Sequence, residues 1–233
     1  MAARDPFGLH TEIVEEVQQK MFYLLGDLGF TASSAGKVAM PRSPGALLRM
    51  LAGAKALSAT GRQGLGQAVD VLPMVLEARK KMSPDARRES DVIGAILYSV
   101  RSRNDLDRGL DLIAELFQTT TATETVVAVR DLVTSGTGRI YGPGTDVLLE
   151  SSKTGQSQIV AKSVKEILKI DAGAAAGAIA GGIRDARVIA LAATGASAAA
   201  SAEAVLDQIF PEQVPLFPKG GNGPYNPIPN PNP

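Results

Sequence analysis

The chain has no cysteine among its 233 residues. Disulfide scaffolds, thiolate nucleophiles, iron–sulfur clusters and cysteine-bearing zinc sites are therefore excluded. A single histidine, His10, excludes any site that needs two imidazoles. Tryptophan is absent and aromatics make up 4%, so stacking platforms for single-stranded nucleic acid are scarce. Charge of one sign is lacking too: 24 basic residues cancel 24 acidic ones, and nucleic acid is not an expected partner on that ground. The first residues, "MAARDPFGLHTEIVEEVQQ", contain no apolar run of the kind that makes a secretory signal. No stretch of 18 strongly apolar residues occurs. The expected address is the cytoplasm of the producing cell, and a bacterial or phage origin fits.

What is present reads as helix. The fold class expected is all-α: a multi-helix bundle of eight to ten helices with a Gly/Ala-rich helical hairpin and an extended Pro-rich C-terminal tail. Leu9, Ile13, Val17 and Met21 mark an amphipathic helix over 9–28, started by Asp5-Pro6. A short helix follows near 45–58, then a turn carrying Gly61, Gly64 and Gly66, then helix over 66–82 with a kink or break expected at Pro73. Ser83-Pro84-Asp85 is a cap, a proline at the first position and an acid, which opens the next helix. Asn104 or Asp105 caps a further helix, whose apolar stripe is Leu106, Leu110, Ile113 and Phe117. Thr121 and Glu124 match a capping box ahead of "VVAVRDLV". The β-branched valines there leave a strand as the alternative, and the lack of a partner strand favours helix.

The domain reading places a helical domain at 1–135 and a Gly-rich linker at 136–144. A second helical segment with the hairpin covers 145–210, and the tail covers 211–233. The linker is "GTGRIYGPG", where glycine and proline crowd together. In the second segment Ile159, Val160, Val164, Ile167 and Leu168 form an apolar stripe beside Lys162, Lys165 and Lys169.

The most distinctive stretch is "DAGAAAGAIAGGIRDARVIALAATGASAAASAEAVL", residues 171–206. Gly173, Gly177 and Gly181 fall on one helix face, flanked by Ala176 and Ala180. Gly195 lies in the second arm. The spacing resembles a glycine zipper, which lets two helix backbones approach closely. The uncharged runs 172–183 and 188–202 are short of a bilayer: twelve residues give about 18 Å of helix against roughly 30 Å of hydrocarbon. Arg184, Asp185 and Arg187 interrupt them. A hairpin that turns near Gly181-Gly182 is expected, with its small faces together and Arg184-Asp185 at an exposed tip.

No nucleophile–base pair, metal cluster or nucleotide loop stands out in the pattern, so no catalytic, cofactor-binding or metal residue is assigned. His10 is expected at a surface or helix cap, and Glu15-Glu16 on a solvated face. Arg87, Arg88, Arg101 and Arg103 could gather into a basic patch. The functional expectation is a non-catalytic structural or interaction protein, part of a self-associating or larger assembly formed through the hairpin. One alternative is a membrane-active protein, pore-forming or effector-like, that inserts residues 159–209. A further one is a precursor or carrier that presents its C-terminal peptide, with Pro224, Tyr225, Pro227 and Pro229 as the partner-binding residues.

Overall fold

The computed structural model describes residues 5–30, 41, 43–100, 103–134 and 170–209. These are all-α, with no strand among the described residues. We number the helices α1 (Pro6–Asp27), α2 (Pro44–Ala52), α3 (Ala59–Lys80), α4 (Pro84–Ser99), α5 (Arg103–Leu116), α6 (Thr120–Thr134), α7 (170–180) and α8 (Ala186–Ile209). The linker, the stripe at 159–168 and the tail with Pro224, Tyr225, Pro227 and Pro229 lie outside the described residues.

Local chemistry sets the helix starts. Asp5 caps α1 by accepting from the backbone N–H groups of Phe7 (3.3 Å) and Gly8 (3.1 Å). Ser43 and Ser83 do the same for α2 and α4, each followed by proline at the first position. Two expected caps move. The α5 helix already begins at Arg103, which puts Asn104 and Asp105 inside its first turn. For α6 the cap is Thr119, whose hydroxyl accepts from Ala122 N at 3.1 Å, two residues before the expected Thr121. The segment "VVAVRDLV" is helix, as its lack of a partner strand suggested.

The turn expected at Gly61–Gly66 is helix, and no break falls at Pro73. The α3 helix runs unbroken through Pro73 and includes Gly61, Gly64 and Gly66. Tertiary packing outweighs local punctuation here. A Cβ on Gly61 would come within 3.2 Å of Glu16 Cδ, and one on Gly64 within 3.1 Å of Ile13 Cγ1. Gly61 and Gly64 are the groove into which α1 settles, and Gly66 lies in open space on the same helix.

Glu16 uses that groove. Its carboxylate accepts from Ser58 N (2.7 Å), Ser58 Oγ (2.6 Å) and Lys20 Nζ (2.8 Å), so it is not on a solvated face as expected. Burial pushes this carboxyl up, but the hydrogen bonds from Lys20 and Ser58 outweigh it and hold it below its ordinary value. A carboxyl lowered in the folded state contributes stability above its unfolded pKa of 4.5, and that contribution is lost as pH falls through the folded value. Glu16→Gln should therefore flatten the fall of unfolding free energy below pH 4.5. Urea titrations of both proteins between neutral and acid pH check this; parallel curves would remove the role.

The apolar core forms two continuous clusters. One joins α4, α5 and α6 to α7 and the first half of α8 (Ile93, Leu97, Leu110, Ile113, Val129, Ile179). The other joins α1, α2 and the start of α3 to the second half of α8 (Ile13, Leu24, Leu48, Leu65, Ala198, Leu206). Both pass through the α7–α8 hairpin. Its residues 171–179 and 189–199 are buried around the whole helix circumference. A helix apolar on every face belongs in the interior, and these two are the centre of the bundle.

Candidate functional site

The hairpin turns where its sequence says. α7 ends at Gly181-Gly182, and Gly182 has φ +91°, a backbone conformation that glycine adopts without a Cβ penalty. Arg184 and Asp185 are exposed at the tip. Arg184 donates to Ile179 O at 2.5 Å and pairs with Glu124 of α6. Asp185 caps α8 by accepting from Arg187 N at 2.8 Å.

Gly173, Gly177, Ala176 and Gly195 are all buried, and Ala180 and Gly181 are partly so. Gly177 and Gly181 lie against α3 of the same chain. A Cβ on Gly181 would stand 2.9 Å from Ala78 Cβ and 3.1 Å from the Ala78 backbone carbon, so here glycine is required. At Gly177 the nearest atom is Arg79 Nε at 3.7 Å, an ordinary contact. Of these two, the close approach is made at Gly181, and α3 is the partner helix there. Arg79 lies over this face. Burial lowers its pKa and the Asp91 carboxylate acts in the other direction; burial likewise raises Asp91 against the pull of Arg87 and Arg79.

The polar centre of the molecule is elsewhere in the hairpin. His10 sits at α1's buried face, not at a surface or cap. Its Nε2 is 3.2 Å from Asp171 Oδ2 on α7, and its Nδ1 is 3.0 Å from Thr194 Oγ1 on α8. Ser197 Oγ donates to Asp171 Oδ1. Thr194 Oγ1 also donates to Ala190 O at 2.8 Å. A hydroxyl has one hydrogen, so in this arrangement Nδ1–H is the donor toward Thr194.

The cluster contains serine, histidine and aspartate, yet it is not a nucleophile–base array. Asp171 takes both the serine hydroxyl and the imidazole, so Ser197 is hydrogen-bonded to the carboxylate and not to His10. A hydrolytic triad needs the hydroxyl on the imidazole, and the imidazole on the carboxylate. All four residues are buried. No group of three or more His, Asp or Glu able to hold a metal occurs among the described residues. The arrangement ties three helices together: α1, α7 and α8 share one hydrogen-bonded knot in an otherwise apolar core.

No protein-family model, curated protein or solved structure matches the chain. What it does has to be argued from its own geometry.

Proposed function

We propose that this is a non-catalytic structural or interaction protein, a component of a self-associating or larger assembly. One observation carries the reading. The buried polar groups His10, Asp171, Thr194 and Ser197 are hydrogen-bonded among themselves, while Tyr23, Met74, Val92, Leu112, Leu116 and Val127 stand out on the outer helices, three of them on α4 and α5. Exposed apolar side chains grouped on one side of a protein are the ordinary mark of a contact surface. The Gly/Ala hairpin takes a different part from the one its sequence suggested. Gly177 and Gly181 pack on α3 and residues 171–179 and 189–199 are buried, so it acts as the internal core of the unit that assembles.

Molar mass by light scattering, followed across a dilution series, tests the reading. A mass above that of the 24.2 kDa chain is expected at the concentrated end. A chain that stays single throughout, and that retrieves no protein from its native host, would count against it.

Insertion of residues 159–209 into a membrane has one observation in its favour: residues 171–179 of α7 and 189–199 of α8 are buried on all sides. No helix among the described residues is long and apolar enough to cross a membrane. Dye release from liposomes would promote that reading over the first.

A further inference from the structure

We draw no further inference here: the strongest candidate, the exposed apolar side chains Val92, Leu112 and Leu116 on the outer faces of α4 and α5, carries nothing, because the charges beside them on α5 (Asp107, Asp111 and Glu115 against Arg108) are not self-complementary and nothing in the structure shows what covers that surface.

Discussion

Asp171→Ala should cost about 3–5 kcal/mol, the usual penalty for removing one member of a buried hydrogen-bonded polar pair. The loss is large because the partners stay behind. His10 and Ser197 would keep buried polar atoms directed at a small void, with little water able to follow. A domain of this size is stable by only about 5–15 kcal/mol, so the variant should be close to unfolding at 37 °C. The contrast with a paired replacement is the informative part. His10→Leu combined with Asp171→Leu removes the donor and the acceptor together and adds apolar volume. Its cost should fall well below the sum of the two single changes, as for other buried ion pairs replaced by apolar residues. Ser197 is then free to hydrogen-bond back to its own helix, as Thr194 already does. Urea unfolding of the two singles and the double gives the coupling energy. Additive losses would mean that His10 and Asp171 do not act as a unit.

The second large effect belongs to the glycine face, and there the two glycines should respond with opposite sign. Gly181→Ala should destabilise by about 1–3 kcal/mol, and Gly181→Leu by more, since atoms of the α3 backbone stand where the new side chain must go. Backbone cannot rotate aside as a side chain can, so α3 and α7 have to separate. Ala78→Gly should relieve part of the penalty in the Ala variant and leave the remainder, because the Ala78 carbonyl carbon is still 3.1 Å away. Gly177→Ala meets only the Arg79 side chain at ordinary contact distance. It should stabilise the protein by up to about 1 kcal/mol, the helix-propensity difference between the two residues. Thermal or urea unfolding of the pair decides the matter, and equal losses at both sites would refute the single-point approach of α3.

These positions also mark what the sequence makes legible. The all-α class, the hairpin and its turn at Gly181-Gly182 follow from helical period and glycine placement, both local properties. The surface role expected for His10 failed for a different reason. Leu9, Ile13, Val17 and Met21 describe a stripe on α1, but so do Phe7, His10, Val14 and Met21. Reading the second alongside the first would have put the histidine at the core. Its partners Asp171, Thr194 and Ser197 carry no signal of their own, because nothing short-range ties a histidine in α1 to residues in the hairpin. The expected turn at Gly61–Gly66 failed similarly. Glycine serves both chain reversal and close helix approach, and only the position of Ile13 and Glu16 across the groove decides which. The expected interruption at Pro73 gave way to packing on either side of it.

The knot at His10 has a consequence for how the protein comes to be made. His10 is separated from Asp171 by 161 residues and from Thr194 by 184. At roughly 5–20 residues per second of synthesis, α1 leaves the ribosome on the order of ten to thirty seconds before the hairpin that covers it. During that interval its apolar face and its histidine have only neighbouring segments to lie against. The helices that fill the centre arrive after the six described helices that precede them. Folding therefore has to close long loops late, and loop closure of this length slows folding for a chain of otherwise local helices. The nascent chain before residue 170 should be a stronger client for holding chaperones than the finished protein.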